Sequence, residues 1–425
     1  MSQYTISPTE KLSGEVFISG SKNASLPIMA AALLSSDIST IKNIPALSDT
    51  ENMCELIKTI GGTAVRNLDN SVSISLSGLK RRSAPYEIAN KLRASVLLMG
   101  AILARVGRVR IPLPGGCQIG TRPIDLHLKG FAAMGAKLKQ GHGYVEAKCG
   151  RLMGAKIYLD FPSVGATENL LIAACLARGE TIIENAATEP EVVDLASFLN
   201  KMGAKITNAG NDTITIIGCE NGGLLGKSSL HACNYTVIPD RIEAGTFMTI
   251  AAICKSELTL CHVVPAHLKP LIAKFQEMGI TVEVTSDKIK ILPVDKFHAV
   301  DIKTLPYPGF PTDMQSQFMA LMSVADGTGV VVETIFENRF MQVPELCRMG
   351  AKIKIDGRSA MIDGTKKLSG ARVKAPDLRA GAALVVAALG ANGDTEISDI
   401  EHIERGYENF EEKLKSIGVA ITKKD

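Results

Sequence analysis

The sequence predicts an α/β protein made of two inside-out α/β domains, each of three β-α-β-α-β-β repeats with buried helices and outer sheets. Three observations predict this fold: a six-fold internal repeat, an apolar helix in every repeat, and alternating strands after each repeat's glycine. A chain of 425 residues is also too long for one ordinary core, so two domains are the default expectation.

The repeat is marked by a helix that ends at a glycine and is followed by an alternating segment. The six copies are Ile60-Gly61-Gly62, Met134-Gly135-Ala136, Met202-Gly203-Ala204, Met278-Gly279-Ile280, Met349-Gly350-Ala351 and Ile417-Gly418-Val419. Successive copies lie 74, 68, 76, 71 and 68 residues apart. A glycine at this position favours a left-handed helix end, and the alternating segments after it are typical of two short strands joined by a polar turn.

A second kind of helix precedes each of these glycine-ended helices. Its copies read SLPIMAAALL, SVLLMGAILA, ENLLIAACLA, GTFMTIAAI, QFMALMSVA and GAALVVAALG. These segments are apolar on almost every side, so each must be buried on all sides, whereas the alternating strands have a polar face that meets water. Helices therefore lie inside and sheets outside.

The arrangement of the repeats has two interpretations. A solenoid of six stacked units is possible, but a glycine-rich break near Cys219–Gly226 divides the repeats three and three and favours two globular domains. Leu12-Ser13-Gly14, Leu152-Met153-Gly154 and Leu368-Ser369-Gly370 each begin the strand before a buried helix. The first of these is therefore expected to open the first repeat, with its helix starting near Lys22.

Composition excludes several classes of function. The net charge is only +3, dispersed along the chain, and there is no Trp, which argues against a nucleic-acid partner. Nine cysteines without a CxxC pair make a disulfide framework or zinc site improbable, and most of them are expected to be buried. We find no secretion signal, membrane span, Walker loop, dinucleotide fingerprint or HExxH motif. We therefore expect a reduced, soluble, cytoplasmic protein that contacts no membrane and uses neither a metal nor another cofactor.

Cations recur at the starts of the buried helices, where capping residues alone would suffice. They are Lys22, Arg93, Arg241 and Arg379. A cation at a helix N-terminus opposes the helix dipole, so its position is electrostatically unfavourable in four repeats. The interpretation we favour is a shared anionic ligand that also uses the free N–H groups of the helix ends.

Further candidates precede the second helices and lie in one loop. Arg122, Arg339 and Arg405 occupy equivalent places before their helices, and Asp313 is the candidate base. Residues 113–128, LPGGCQIGTRPIDLHL, carry Cys117 in a Pro/Gly-rich loop. A lone Gly-Gly-Cys is more often a plain turn, but the nearby Arg122 favours a thiolate and a loop that closes over a ligand. These residues predict a cationic cleft between the two domains.

The same motifs carry a resemblance to a known family. GSKNASLPIMAA, the cysteine loop, FPSVGATEN, PGFPTDMQSQFMAL, ETIFENRFMQVPEL and HIERGY resemble the UDP-N-acetylglucosamine 1-carboxyvinyltransferases over essentially the whole chain. The resemblance implies transfer of enolpyruvyl from phosphoenolpyruvate to the 3′-hydroxyl of UDP-N-acetylglucosamine by addition and elimination, an early step of peptidoglycan precursor synthesis. It also implies an N-terminal domain of residues 22–230 and a C-terminal domain of residues 1–21 plus 231–425, with the active site in the cleft between them.

The resemblance also implies roles for individual residues. Lys22, Arg122 and Arg405 would hold phosphoenolpyruvate, with Arg379 assisting, and Asp313 would take the hydroxyl proton. Cys117 would protonate the enolpyruvyl methylene or bind it covalently. The expected contacts of the two substrates are Lys22, Asn23, Arg93, Arg122, Pro123, Ile124, Asp125, Leu126, Ser163, Val164, Gly165, Asp313, Ile335, Arg339, Arg379 and Arg405.

Departures and alternatives remain. Some members of the family carry Lys where this chain has Ser48 and Phe161, so Arg93 or helix N–H groups must serve the diphosphate instead. The related shikimate enolpyruvyl transferases share the fold and the donor but lack the cysteine loop. A repeat-built binding protein would have no reason to place Lys22, Asp313 and Arg405 at one end of its repeats.

Overall fold

The computed structural model describes residues 2–9, 11–78, 93–112, 124–141, 143–219 and 230–424, and for Arg93 the backbone only. These residues separate into two compact units. The N unit comprises the described residues of Gly20–Gly116 and Arg122–Ile238, and the C unit comprises those of Met1–Ser19 and Pro239–Asp425. Each unit has its own hydrophobic core.

The described chain contains the following helices and strands. The α-helices are α1 (Lys22–Ala31), α2 (Ser48–Ile60), α3 (Leu98–Val106), α4 (Asp125–Ala133), α5 (Val164–Ala174), α6 (Pro190–Lys201), α7 (Arg241–Ile253), α8 (Lys269–Glu277), α9 (Gln315–Met322), α10 (Val343–Arg348), α11 (Leu378–Leu389), α12 (Glu401–Glu404) and α13 (Phe410–Ser416). Short 3-10 helices span Ala32–Leu34, Arg93–Leu97, Pro265–Leu268 and Thr312–Met314.

The strands are β1 (Gln3–Ile6), β2 (Glu15–Phe17), β3 (Ser39–Lys42), β4 (Thr63–Arg66), β5 (Val72–Ser75), β6 (Arg108–Pro112), β7 (Lys137–Gly141), β8 (Tyr144–Lys148), β9 (Lys156–Tyr158), β10 (Glu180–Glu184), β11 (Lys205–Thr207), β12 (Thr213–Ile217), β13 (Asn234–Thr236), β14 (Leu258–Cys261), β15 (Val282–Val284), β16 (Lys288–Ile291), β17 (Ile302–Lys303), β18 (Thr328–Val332), β19 (Lys352–Asp356), β20 (Ser359–Asp363), β21 (Leu368–Ser369), β22 (Arg372–Lys374), β23 (Ala391–Asn392), β24 (Thr395–Ser398) and β25 (Ile421–Lys424).

The third repeat shows the predicted plan within a single continuous stretch of chain. Strand β9 leads through the buried α5 to the parallel strand β10, and α6 then leads to the hairpin β11–β12. The sheet order is β11-β12-β10-β9, with β10 and β12 antiparallel. The fifth repeat has the same order, β19-β20-β18-β17. The predicted β-α-β-α-β-β unit is confirmed.

The glycines that mark the repeat end its helices as predicted. All six have a positive φ, from +85° at Gly279 to +105° at Gly61. A side chain with a Cβ is strained in this left-handed conformation, which explains why the position is glycine in every copy.

The apolar helices lie inside their units. Every residue of α1 except Asn23 is buried, and every residue of α9 is buried. The strands of the same repeats alternate, as in β10, where Thr181 and Ile183 point inward. Buried helices and outer sheets are therefore confirmed within each unit.

One expectation about the first repeat is wrong. Strand β2 precedes α1 and α1 begins at Lys22 as predicted, but β2 does not join the first repeat's sheet. It pairs in parallel with β14 of the fourth repeat, while β13, which precedes the fourth repeat's helix, pairs in parallel with β3 of the first. The two units thus exchange their opening strands. The Leu-Ser-Gly motif marks the start of a strand but carries no information about the sheet that strand enters.

The sixth repeat is completed from the other end of the chain. Its second helix α13 is followed by β25 alone, and β1 takes the place of the missing hairpin strand between β24 and β25. In this pairing Gln3 lies opposite both Ser398 and Lys424. Residues 3–6 therefore belong to the last sheet.

Two further expectations concern cysteines and membranes. Among the eight cysteines that the structure describes, Cys54, Cys175, Cys254 and Cys261 are buried as predicted, but Cys347 is exposed. Its helix α10 is short and buries only Val343 and Leu346, which leaves the thiol on the outer face. Within the described ranges, no helix has the length and apolarity that crossing a bilayer requires.

Candidate active site

Capping explains the Ser and Asp residues at the starts of the buried helices. Ser21 Oγ accepts from the Ala24 N–H and Ser163 Oγ from the Ala166 N–H, both at 3.3 Å. Asp240 and Asp377 each accept from two N–H groups of their helix. These four residues serve their helix ends, which leaves the neighbouring cations to be explained.

The cation of α1 has a protein partner. Lys22 Nζ donates to Asp49 Oδ2 at 3.0 Å, and the two side chains are only 10% and 6% exposed. Asp49 lies in the first turn of α2, where a carboxylate is favoured by the helix dipole. A neighbouring carboxylate therefore compensates Lys22, and its position does not by itself require an anionic ligand.

The C unit contains a carboxylate held between two guanidiniums. Arg339 Nη2 lies 2.6 Å from Asp313 Oδ1, and Arg379 Nη2 lies 3.0 Å from Asp313 Oδ2. The Asp313 side chain is 26% exposed, whereas Arg339 and Arg379 are only 3% and 5% exposed. A ligand can therefore reach the carboxylate more readily than the two cations behind it.

Tyr407 contacts the cluster of Asp313, Arg339 and Arg379 from the hydrophobic core of the C unit. Its hydroxyl lies 3.3 Å from Arg379 Nη1 and 2.9 Å from Thr246 Oγ1 within the core, and Gln317 Nε2 donates to it at 3.3 Å. Burial acts to lower the pKa of Arg379, but Asp313 and Tyr407 outweigh it, so the pKa lies above the ordinary arginine value. Arg379 therefore carries a permanent positive charge.

The predicted contacts of the N unit are divided between three helix starts. Ser163, Val164 and Gly165 form the start of α5, and Asp125 and Leu126 the start of α4, with Ile124 before them. Asn23 is the exposed residue of α1. These positions leave helix N–H groups available to an anion.

A buried network joins these helix starts. The Asn169 amide of α5 lies 3.0 Å from His127 Nδ1, accepts from the Gly100 N–H, and donates to the Val96 carbonyl. Burial lowers the pKa of His127 to about 4, which keeps its imidazole neutral and structural. Val96 belongs to the 3-10 helix that begins at Arg93, so the network fixes the backbone from which Arg93 extends.

The remaining predicted residues are placed as follows. Arg405 is half-buried between α12 and α13, Ile335 follows β18, and the guanidinium of Arg241 lies 5.7 Å from the Tyr307 ring. Cys117, Arg122, Pro123 and the side chain of Arg93 lie outside the described residues. Among the side chains described, no three His, Cys, Asp or Glu come together as a metal site would need.

Sequence reasoning missed three residues that contact the predicted ones. They are Asp49, Tyr407 and Glu333, which accepts the backbone N–H of Ile335. Only Tyr407 carried a signal, because it lies in the HIERGY motif beside Arg405. Asp49 and Glu333 resemble a helix-start residue and a strand-end residue, and their burial is visible only in the fold.

The fold and the family comparison define the class of protein. The family model of EPSP synthase (3-phosphoshikimate 1-carboxyvinyltransferase) matches residues 6–414. The structure of the enolpyruvyl transferase NikO from Streptomyces tendae is similar, with a TM-score of 0.89 and 26% identity over 99% of this chain and 98% of that one. EPSP synthase from Acinetobacter baumannii, at 20% identity over the whole of both chains and a TM-score of 0.77, shares the fold. The class is that of the enolpyruvyl transferases.

Curated relatives narrow this class. UDP-N-acetylglucosamine 1-carboxyvinyltransferase 1 of Caldanaerobacter subterraneus subsp. tengcongensis is 55% identical over 99% of both chains. The UDP-N-acetylglucosamine 1-carboxyvinyltransferase of Halothermothrix orenii is 52% identical over the whole of both chains. The chain belongs to the UDP-N-acetylglucosamine 1-carboxyvinyltransferase family and is a transferase.

Proposed function

We propose that this chain transfers the enolpyruvyl group of phosphoenolpyruvate to the 3′-hydroxyl of UDP-N-acetylglucosamine and releases phosphate, in the synthesis of peptidoglycan precursors in the cytoplasm. The observation that carries this proposal is the relationship at 51–55% identity, over almost the whole chain, to several curated relatives that carry this enzyme name. The two substrates are its small-molecule partners.

The proposed reaction has two stages. In the addition, the sugar hydroxyl loses its proton to Asp313 and its oxygen bonds to C2 of the enolpyruvyl group, while Cys117 delivers a proton to the C3 methylene. In the elimination, C3 returns a proton to the Cys117 thiolate, the C–O bond to phosphate breaks, and Asp313 gives its proton to the departing phosphate, which restores the double bond and both residues. Atoms and charges balance without a redox partner, so positioned acids, bases and cations suffice.

The geometry of the C unit suits Asp313 to its role. Each carboxylate oxygen contacts one guanidinium, at 2.6 Å for Arg339 and 3.0 Å for Arg379, and carboxylate oxygens have further lone pairs that can accept a hydroxyl proton. Its side chain is 26% exposed, so a ligand can reach part of it. A base must be both fixed and reachable, and Asp313 is both.

We assign the cationic side chains of the site to the donor substrate, phosphoenolpyruvate. Phosphoenolpyruvate carries a carboxylate and a phosphate, and we assign Lys22, Arg122 and Arg405 to them, with Arg379 assisting. Attack at C2 develops positive charge beside these anionic groups, so cations that are already in place reduce the reorganisation needed in the transition state. Lys22 is held by Asp49 before the donor arrives.

The acceptor is proposed to lie along the helix starts of the N unit. Asn23, Arg93, Asp125 and Ser163 represent the contacts of the N unit that we assign to it, the rest being their neighbours in the same motifs, and Ile335 is a contact that we assign from the C unit. At position 161, where some members of the family carry Lys, this chain has an exposed Phe. The diphosphate must therefore be bound by Arg93, Arg122 or the N–H groups of α5.

Phosphate release tests this function against its nearest alternative. We expect release from phosphoenolpyruvate when UDP-N-acetylglucosamine is present, and background release when 3-phosphoshikimate replaces it. The EPSP synthase family model makes 3-phosphoshikimate the acceptor to exclude. Equal release with the two acceptors, measured with the same enzyme preparation, would refute the assignment.

Alkylation tests the role of Cys117. We expect fosfomycin, an epoxide, to form one covalent adduct at Cys117, because a thiolate beside a cation is the group that opens such a ring. Intact and peptide mass spectrometry measure the site and number of adducts. Cys347, which is exposed, serves as the internal control. An adduct on Cys347 with none on Cys117 would contradict the proposal.

A further inference from the structure

Glu333 is a buried carboxylate at the end of β18 that the reaction described above does not use. Glu333 is only 1% exposed. Oε1 accepts from Thr304 Oγ1 at 2.9 Å and from the backbone N–H groups of Ile335 and Phe336 at 2.8 and 3.2 Å. Oε2 accepts from Thr312 Oγ1 at 2.9 Å. Oε1 thus accepts three hydrogen bonds and Oε2 accepts one.

The donors to Glu333 are all neutral. Among the side chains described, no Lys or Arg forms an ion pair with it, and the four donors are two hydroxyls and two backbone N–H groups. A buried carboxylate is costly without an opposite charge, and hydrogen bonds to neutral donors offset only part of that cost. What the residue contributes is the arrangement of the segments that supply those donors.

Three segments meet at this carboxylate. Thr304 follows β17, Thr312 begins the 3-10 helix that contains Asp313, and Ile335 follows β18. Since β17 and β18 are parallel, their carboxyl ends lie at the same edge of the sheet, and Glu333 joins both ends to the Asp313 turn.

Residues 333–339 contact the Asp313 turn at two points. Glu333 accepts from Thr312, and six residues later Arg339 donates to Asp313 at 2.6 Å. Thr312 and Asp313 are adjacent, so the two contacts fix consecutive residues of one turn to one segment.

We propose that Glu333 is a positioning residue for the transfer reaction, which acts through Thr312 to hold Asp313 where it can take the acceptor proton. This inference rests on the proposed function. In this proposal the buried Glu333–Thr312 contact contributes to the rate of transfer, although neither residue touches a substrate.

The first variant removes the contact at its turn end. Thr312→Val keeps the shape of the side chain and deletes the hydroxyl that donates to Oε2. Because a catalytic group displaced by about 1 Å loses up to about 100-fold in rate, we expect kcat to fall by about 10- to 100-fold. The KM for phosphoenolpyruvate should stay within about two-fold, because Lys22, Arg122 and Arg405 are untouched and Arg379 keeps its hydrogen bond to Tyr407.

The matched control is Thr328→Val at the opposite end of β18. The Thr328 hydroxyl donates to the Asp363 carboxylate at 2.6 Å on the surface. The variant therefore removes a hydrogen bond between a threonine and a carboxylate that does not involve the Asp313 turn. We expect the kcat of this variant to match that of the unchanged enzyme. Equal kcat values for Thr312→Val and Thr328→Val, measured well below both melting temperatures, would overturn the proposal.

Substitution at Glu333 itself separates positioning from folding. Gln can accept the Ile335 N–H through its oxygen and donate to Thr312 Oγ1 through its nitrogen, so Glu333→Gln should retain most of kcat. Glu333→Ala should lower kcat at least as far as Thr312→Val. If Gln lowers kcat as much as Ala, the carboxylate itself is essential and the positioning role is wrong.

The test separates this inference from the function on which it rests. Turnover by the unchanged enzyme with UDP-N-acetylglucosamine reports on the function, and the ratio of variant to unchanged kcat reports on positioning. A crystal structure of Thr312→Val adds a reading without turnover. It should show the Asp313 carboxylate shifted relative to Arg339 and Arg379, and an unshifted carboxylate would count against the proposal.

Discussion

Replacing Asp313 with alanine is expected to lower kcat by about 1,000-fold, since a positioned general base contributes about 10²- to 10⁴-fold. Binding of UDP-N-acetylglucosamine should survive, because the other proposed contacts of the sugar nucleotide are spread over the starts of α1, α4 and α5. Asp313 is the reachable member of its cluster, at 26% exposure, and the proposed acceptor hydroxyl has no other described carboxylate assigned to it. Steady-state phosphate release and calorimetric binding measure the two effects separately.

The control for this variant is Asp326→Ala, which removes an exposed carboxyl in the same unit. It should leave kcat unchanged. Asp313→Asn keeps the shape and one oxygen to accept from an arginine, so it should lose less stability than Asp313→Ala and still lack the base. Near-normal turnover of either Asp313 variant would remove this residue as the base.

The second large effect is expected at Lys22. Lys22→Met should lower kcat/KM for phosphoenolpyruvate by about 100-fold or more, since a cation placed for the transition state is lost. It should also lower the free energy of unfolding by about 3 kcal/mol, because Asp49 is 6% exposed and loses the ammonium 3.0 Å away. Denaturant unfolding and donor saturation curves measure the two losses.

A double variant distinguishes these two roles. Lys22→Met with Asp49→Asn removes both charges, and we expect it to recover most of the lost stability because no buried charge is left uncompensated. Its turnover should remain as low as that of Lys22→Met. If the double variant regains turnover along with stability, Lys22 is a structural residue and its assignment to the donor is wrong.

The regular parts of the fold were predictable because they depend on local chemistry. Gly135, Gly203 and Gly350 are left-handed because a residue without Cβ is the economical way to end a helix there. The burial of α9 follows from the absence of a polar face. Both properties depend on a few consecutive residues, so they can be predicted from a single sequence.

The parts that could not be predicted depend on residues far apart in the chain. Lys22 was singled out because a cation opposes the helix dipole, but its partner Asp49 lies in another helix, 27 residues on. The cluster of Asp313, Arg339 and Arg379 forms only after the turn before α9 and the start of α11 are brought together by packing. A pattern identifies such residues as candidates, and only the fold pairs them.

The exchange of β2 and β13 has a consequence for how the protein is made. The described partners of the N unit's strands lie between β3 and β13, so that unit can complete its pairing soon after Ile238 is synthesised. Strand β2 must wait for β14, and β1 must wait for β24 and β25, almost the full length of the chain later. Such distant pairings are slow to close. Of the strands described, β1 is synthesised first and is therefore among the last to find its place in a sheet.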